Sequence, residues 1–462
     1  MTETSADLVI LGGGSGGYAC AFRAAELGLS VILVEKDKLG GTCLHRGCIP
    51  TKALLHAAEV ADSAREGDQF GVKSSLSGID IAGVNSYKDG VVGGLYKGVQ
   101  GLAKAHKVKI VEGTGTLVSA DTVEVAGERY TAKNIVLATG SYARSLPGLE
   151  IGGRIVTSDQ ALHLDFIPQS VIVLGGGVIG VEFASVWKSF GAEVTIVEAL
   201  PRLVPAEDEW ASKQLERAFR KRKIGFKTGV KFTGATQGDS GDSGVSVTLD
   251  SGDTIDADLL LVAVGRGPNT QGYGYEQAGV TLDRGFVPTD DRLRTNVPGV
   301  YAVGDIVPGL QLAHRGFQQG IFVAEQIAGL EPRSIDEAGI PRVTYCRPEV
   351  ASVGLTEAQA KERYGEIETY TYSLAGNGKS QILKTGGGVK LVKAGEKGAG
   401  GPVVGVTMVG DRVGELIGEA QLIYNWEAFP EDVAPLIHAH PTQTEALGEA
   451  LLALAGKPLH VH

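Results

Sequence analysis

The apolar residues of this chain fall in short unbroken blocks bounded by glycine, the pattern of strands buried on both faces. Leu8 to Leu11 is one such block, and it enters Gly12-Gly13-Gly14-Ser15-Gly16-Gly17. Ala19, Ala21, Phe22, Ala25 and Leu27 then predict a helix closed by Gly28, and Val31 to Val34 predicts a second buried strand ending at Glu35. The same order recurs 163 positions later, counted from Gly12 to Gly175. Val171 to Leu174 enters Gly175-Gly176-Gly177-Val178-Ile179-Gly180, Gly191 closes the helix, and Val194 to Val197 ends at Glu198. In both copies the first glycine precedes the acid by 23 residues.

Strand, glycine loop, helix, strand and acid in this order form a dinucleotide site. The first glycine allows a tight turn, the second lets backbone approach a pyrophosphate, and the third lets helix pack on strand. Unpaired N–H groups at the helix N-terminus face the phosphates. The acid accepts from a ribose 2′-hydroxyl and would repel a 2′-phosphate. Glycine-rich turns without a ligand are the plain alternative for one copy, but two copies in full context leave it little room. No arginine immediately follows Glu198, and Arg202 lies four residues on, so NAD is expected over NADP at the second site.

Beyond the repeat, Ile135 to Gly140 and Asp258 to Gly265 read as buried strands running into tight turns, each returning from its unit. Val300 to Val303 predicts a strand ending at Gly304-Asp305, a third candidate ligand-facing end. Gly238 to Gly244 reads as a solvated hairpin tip. Past Ile340 strands at Val389 to Val392 and Val403 to Val406 alternate with helices at Glu415 to Trp426 and Thr444 to Leu454, an α+β pattern. Gly395 to Gly401 between those strands reads as a flexible hairpin. The expected fold is α/β: two Rossmann-like dinucleotide-binding domains at 1–147 and 148–272, a central segment at 273–340, and a C-terminal α+β domain at 341–462.

Composition narrows the function classes. Glycine is 67 of 462 residues, roughly twice its usual share, without a collagen period. Lys and Arg number 43 against 54 Asp and Glu, and the net charge of −11 speaks against nucleic acid and against anionic membranes. No apolar run approaches the roughly 18 residues of a spanning helix. The acidic N-terminus lacks the signature of a secretory signal or transit peptide, so a cytoplasmic location is expected. Four cysteines are too few for a disulfide scaffold and point to redox or metal use of any pair.

Cys43 and Cys48 stand in Gly40-Gly41-Thr42-Cys43-Leu44-His45-Arg46-Gly47-Cys48-Ile49-Pro50-Thr51-Lys52. In a regular helix five residues span roughly 7.5 Å, beyond the about 7 Å a disulfide tolerates between α-carbons. Pairing would therefore need an irregular backbone, which Gly47 and Pro50 can provide. Two buried structural cysteines, a zinc site with His45, and a redox disulfide serving the adjacent dinucleotide site all remain open from the residues; only the last accounts for the location. His438-Ala439-His440-Pro441-Thr442 with Glu445 reads either as a metal pair, extended by His460-x-His462, or as a base His440 oriented by a carboxylate. The second suits Glu445 better, which leaves no metal expected and His438 structural.

From about Asp7 to Leu454 the chain resembles the flavoprotein pyridine nucleotide-disulfide oxidoreductases, and among them the dihydrolipoamide dehydrogenases. The likeness is carried by the cysteine motif, Ala138-Thr139-Gly140, Gly265-Arg266-x-Pro268-Asn269-Thr270, Thr295 to Asp305, and the histidine motif, in family order. The resemblance implies oxidation of protein-bound dihydrolipoamide by NAD through a redox disulfide and FAD. It assigns Cys43 to interchange with the dithiol, Cys48 to the flavin side, and His440 with Glu445 to proton transfer across a homodimer. FAD contacts are implied at Gly12, Gly14, Gly17, Glu35, Thr42, Lys52, Gly115, Thr139, Gly140, Asp305 and Ala313. NAD contacts are implied at Gly175, Gly177, Gly180, Glu182, Glu198, Val230, Gly265 and Arg266, with Glu182 pairing Lys52. The implied partners are lipoyl domains of 2-oxoacid dehydrogenase complexes or the glycine cleavage H protein. Another disulfide reductase, such as glutathione reductase, or a cofactor-binding subunit without turnover are the rival expectations.

Some positions depart from the family pattern. His45-Arg46 stand where Asn-Val is usual, and their added positive charge is expected to favour thiolate. Thr51 replaces a serine, Gln319 a glutamate and Cys346 a threonine, while Cys20 is expected in the core.

Overall fold

The computed structural model describes residues 3–238, 244–398 and 400–460. Leu8, Val9 and Ile10 are fully buried, because strand Glu3–Leu11 lies inside a parallel sheet with layers on both faces. It pairs in register with Val31–Glu35, Ile10 opposite Leu33, and with Glu128–Leu137, Ile10 opposite Val136. Lys109–Glu112 extends one side. An antiparallel hairpin, Gly115–Ser119 with Thr122–Val125, extends the other. Val300–Ala302 returns from far along the chain to pair with Glu128–Leu137. The central segment shares this core: Tyr275, Val287, Val303 and Phe322 pack with Leu8 to Leu11. Its helix Ala313–Ile327 meets helix Ser15–Glu26 backbone to backbone, since a Cβ on Gly320 would stand 2.2 Å from the Gly16 carbonyl oxygen. Cys20 is fully buried there.

The second unit repeats the plan. Ser170–Leu174 lies between Glu193–Glu198 and Leu259–Val262, with Gly225–Thr228 and Ile155–Thr157 outside, all parallel. A three-stranded antiparallel sheet, Phe232–Gln237, Val245–Leu249 and Thr254–Ala257, covers one face through Val247 and Leu249 against Ile172 and Leu174. The expected hairpin is there, Gln237 opposite Val245; its tip, residues 239–243, lies outside the described residues.

The third unit is a five-stranded antiparallel sheet in the order Arg342–Thr344, Glu349–Gly354, Val403–Gly410, Gly388–Ala394, Ile367–Ser373. Helices Val413–Asn425 and Glu445–Leu454 cover it through Ile417, Ala420, Leu447 and Leu451. The hairpin expected at Gly395 to Gly401 joins the antiparallel pair Gly388–Ala394 and Val403–Gly410, and its glycines have a steric reason. Ala399 is outside the described residues, but Gly395 and Gly398 take φ of 94° and 79°, and a Cβ on Gly401 would lie 1.9 Å from the Ala394 carbonyl oxygen. Sterics demand those glycines. Among the described residues no helix is long and apolar enough to cross a membrane.

Candidate active site

The sequence repeat is also a repeat of hydrogen bonds. Gly12 N–H donates to the Val34 carbonyl and Gly175 N–H to the Val197 carbonyl, both at 2.8 Å. Gly12 and Gly175 have φ of 109° and 111°, left-handed values that suit glycine. A Cβ on Gly17 would meet the Gly12 carbonyl oxygen at 1.8 Å, and one on Gly180 the Gly175 oxygen at 1.9 Å, so each helix rests directly on its turn. Each acid is fixed by backbone. Glu35 accepts from Gly13 N–H at 2.6 Å and Asp37 N–H at 2.8 Å. Glu198 accepts from Gly176 N–H at 2.6 Å and Leu200 N–H at 2.7 Å. A carboxylate has about four lone-pair sites, so both acids keep acceptors for a ribose.

The middle glycines differ. A Cβ on Gly177 would meet nothing within 4 Å, and one on Gly14 only the Gly41 Cα at 3.9 Å. Neither helix N-terminus is capped by a side chain. Open space over uncapped N–H groups is what a pyrophosphate needs, so both loops fit a dinucleotide. Gly41 brings the cysteine segment onto the first loop: its Cβ would fall 2.6 Å from the Gly14 Cα.

Helix Gly41–Arg46, carrying Thr42 and Cys43, breaks at Gly47, and Cys48 begins helix Cys48–Glu66. Gly47 makes the irregularity because a Cβ there would crowd Thr42 O at 3.0 Å. Pro50 plays no part in the break; it sits in the first turn of the new helix, where its missing N–H costs nothing. Cys43 and Cys48 are free thiols in contact. The contact with Cys48 and burial raise the Cys43 pKa. The contact with Cys43, with Lys52 nearby, outweighs burial and lowers the Cys48 pKa. The helix N-terminus also favours a thiolate at Cys48.

Helix Cys48–Glu66 crosses to the second unit, where Leu54 and Ala58 join the core of Phe183 and Trp187. One turn into it, Lys52 Nζ donates to both oxygens of Glu182 at 2.8 and 3.0 Å. Glu182 is buried, 2% exposed. Tyr345, which nothing in the local sequence marks, completes the pair. Its N–H donates to Glu182 at 2.9 Å and its ring lies 4.8 Å from Lys52 Nζ. The His45-Arg46 charge does not reach the cysteines: Arg46 pairs with Asp37 at 2.6 Å and His45 Nε2 contacts the Leu39 carbonyl at 2.8 Å. Lys52 is the cation that acts on Cys48.

The remaining expected contacts cluster at strand ends. Thr139 Oγ1 bonds the buried Tyr275 hydroxyl at 2.8 Å, and Gly140 turns at φ 74°. Asp305 accepts from Ser141, another residue sequence reasoning missed. Arg266 donates to the same serine at 2.8 and 2.9 Å, which turns its guanidinium toward the first unit rather than the NAD loop. Gly265 turns beside it at φ 101°. Ala313 opens its helix without a side-chain cap. Gln319 accepts from Gly304 N–H at 2.7 Å, a task its amide oxygen performs in place of a carboxylate. Gly115 packs on Leu11 and Val34, leaving only its backbone to a ligand. Val230 N–H donates to the Glu198 carbonyl at 3.2 Å, beside the second acid. Cys346 is buried, its thiol on the Pro348 carbonyl at 3.2 Å.

His440 stands apart, its side chain 78% exposed, with Nδ1 bonded to Glu445 at 2.8 Å. Burial works against Glu445, yet the Thr442 N–H and His440 hold it below the usual carboxylate range. His438 pairs instead with Glu419 at 2.8 Å, a structural contact. His460 bonds Glu449 at 2.7 Å, while His462 lies outside the described residues.

Residues 6–320 match the pyridine nucleotide-disulphide oxidoreductase family, and residues 340–451 match its dimerisation domain. The chain is 40% identical over 475 residues to a dihydrolipoyl dehydrogenase of Bacillus subtilis, covering 99% of each. It is 40% identical to the mitochondrial dihydrolipoyl dehydrogenase of Pisum sativum, over 98% of this chain and 92% of that one. The crystal structure of LpdA from Mycobacterium tuberculosis superposes with a TM-score of 0.89 at 26% identity, over 98% of this chain and 99% of that one. The HOCl-induced flavoprotein disulfide reductase RclA from Escherichia coli does so at 0.86 and 26%, over 96% and 99%. FAD and NAD are the cofactors of this group of enzymes, and the two glycine loops fit them. A paired glycine-loop fold, a cysteine pair on the first loop and near-complete coverage by these relatives agree: the chain belongs to the pyridine nucleotide-disulphide oxidoreductase family.

Proposed function

We propose that this protein oxidises protein-bound dihydrolipoamide to lipoamide and reduces NAD+ to NADH, working as a homodimer on lipoyl domains of 2-oxoacid dehydrogenase complexes or the glycine cleavage H protein. The observation that carries the reading is the unequal cysteine pair. Cys48 stands at a helix start against Cys43, its pKa lowered by that contact and by Lys52, and the Lys52–Glu182 pair lies one turn on toward the second loop. FAD would be held by Gly12 to Gly17, Glu35, Thr139 and Asp305, and NAD by Gly175 to Gly180 and Glu198. When bound, FAD supplies a carrier that accepts an electron pair from a thiolate and releases it as hydride.

The partner subunit's His440 takes a proton from the dithiol, and the partner subunit's Glu445 stabilises the resulting imidazolium. The substrate thiolate attacks Cys43 of the oxidised pair, breaking the Cys43–Cys48 bond and leaving Cys48 as thiolate. The second substrate thiol then attacks its own sulfur in the mixed disulfide. Lipoamide leaves, and Cys43 takes up a proton. Re-forming the Cys43–Cys48 bond releases that proton and an electron pair; the pair with one proton converts NAD+ to NADH, and the proton held by the partner subunit's His440 passes to solvent. The sum is dithiol plus NAD+ giving lipoamide, NADH and H+.

The dimer reading draws support from the residues beside His440, Leu436 and Ile437, which are 62% and 98% exposed and need cover. We place the chemistry in the reducing cytoplasm, which suits two working thiols together with buried free thiols at Cys20 and Cys346. Turnover with dihydrolipoamide or reduced glutathione, each with NAD+ or NADP+, tests the reading. Dihydrolipoamide with NAD+ should be the efficient pair; preference for glutathione, or dithiol oxidation surviving in Cys48→Ser, would refute it.

A further inference from the structure

The stretch after Glu198 is tied at both ends in a way that nucleotide binding alone does not require. Val204 lies in the left-handed region at φ 43°, a conformation a β-branched residue holds only under constraint from its surroundings. It is buried, 2% exposed, and its N–H donates to the Gly176 carbonyl at 2.8 Å. The Leu200 N–H holds Glu198 from the same stretch. Arg202 braces the bend by donating to the Pro205 and Glu207 carbonyls at 2.9 and 3.3 Å.

The far end is fastened to the C-terminal sheet. Ser352 Oγ donates to Glu207 Oε2 at 2.5 Å, and Arg342 stands 3.5 Å from Glu207 Oε1. Lys390 Nζ donates to Asp208 Oδ1 at 2.8 Å, with both residues buried, and Asp208 Oδ2 accepts from the Glu357 N–H at 2.9 Å. Burial opposes the Asp208 charge, but Lys390 and the Glu357 and Trp210 amides hold its pKa below the usual carboxylate range.

We propose that residues 199–208 are a strap through which the C-terminal domain positions the NAD site, with Asp208 and Lys390 as positioning residues acting through Val204 on Gly176. The proposal rests on the reading that Gly175 to Gly180 and Glu198 hold NAD. A strained loop keeps its shape only while both ends are fixed. Releasing the Asp208 end lets Val204 leave the left-handed region, and the Gly176 carbonyl loses its donor. NAD affinity then depends on how the domain carrying His440 is seated.

The test uses the full-length, FAD-loaded protein with Lys390→Met, Lys390→Arg and Glu198→Ala variants. NADH dissociation constants come from fluorescence titration, and steady state gives KM for NAD+ and kcat. Anaerobic reduction by dihydrolipoamide without NAD+ reads the thiol side alone. Lys390→Met should raise the NADH dissociation constant and the NAD+ KM about fivefold, leave the thiol side at the parent rate, and be rescued by Lys390→Arg. If Lys390→Met does not accumulate folded, Asp208→Asn carries the same expectation. An unchanged NADH constant, or equal losses on both sides, overturns the strap. Glu198→Ala separates the two readings. If it weakens NADH binding while Lys390→Met does not, the strap alone fails; if it has no effect, the NAD-site assignment fails and the strap with it.

Discussion

Replacing Lys52 with methionine tests how the site prepares Cys48. The Cys43 contact lowers this thiol most and the Lys52 charge lowers it further, against burial and the Glu182 charge. Removing the cation while keeping Cys43 should move Cys48 ionisation upward, each pH unit of that movement corresponding to about 1.4 kcal/mol. The fraction of thiolate at neutral pH would fall accordingly. The same change strands Glu182, buried and left with only the Tyr345 amide. Breaking a buried pair costs about 3–5 kcal/mol, and Lys52, its side chain 33% exposed, belongs at the low end, near 3 kcal/mol. The double variant Lys52→Met/Glu182→Gln should recover most of the stability yet keep the Cys48 midpoint above its parent value. An anaerobic pH titration of dithiol-reduced protein, following the long-wavelength absorbance of thiolate against flavin, measures the midpoint, and urea unfolding measures the stability. A midpoint unmoved in Lys52→Met would refute the assignment of Lys52 as the charge that prepares Cys48.

Glu445→Ala should slow dihydrolipoamide oxidation by about 10²-fold or more while leaving NADH-to-dye transfer intact, since the His440–Glu445 pair acts only on the thiol side; equal loss in both assays would count against that role. Gly17→Ala and Gly180→Ala each drive a Cβ to within 1.9 Å of a carbonyl oxygen, so the first should lose FAD on gel filtration and the second should keep FAD but lose NADH binding. Glu349, raised to about 7 by burial and by the Asp411 and Glu415 charges, binds a proton in the folded protein that the unfolded chain has already released above about pH 4.5. Stability should therefore fall as pH rises from about 4.5 to 7, by about 2 kcal/mol after allowance for partial exposure. Glu349→Gln, which keeps an acceptor for the Gly414 amide, should be more stable than the parent at pH 8 and no more stable at pH 5 in urea unfolding.

The parts of this protein that are legible in its sequence are those whose chemistry is local. A glycine loop, its helix and the acid that closes it all fall between Leu8 and Glu35, and again between Val171 and Glu198. Short-range sterics fix that geometry: a Cβ at Gly17 or Gly180 has nowhere to go. The cysteine motif and the His440–Glu445 pair are local in the same sense. Other features depend on what folding brings together from afar. Glu182 is 130 positions from Lys52, and only the crossing of helix Cys48–Glu66 into the second unit turns a helix-face acid into a buried counter-ion. The charge on Arg46 sits two residues from Cys48 in sequence, but the fold sends it to Asp37. Ser141 and Tyr345 carry no sequence mark because their roles are hydrogen bonds to residues more than 120 positions away. The strap between Gly176 and Lys390 is likewise invisible along the chain. The sequence by itself determined the two glycine loops and the cysteine and histidine motifs, because backbone sterics and motif chemistry act over a few residues. The tertiary structure alone decided which charges surround Cys48 and what fastens the loop after Glu198, because burial and ion pairing depend on distance in space rather than along the chain.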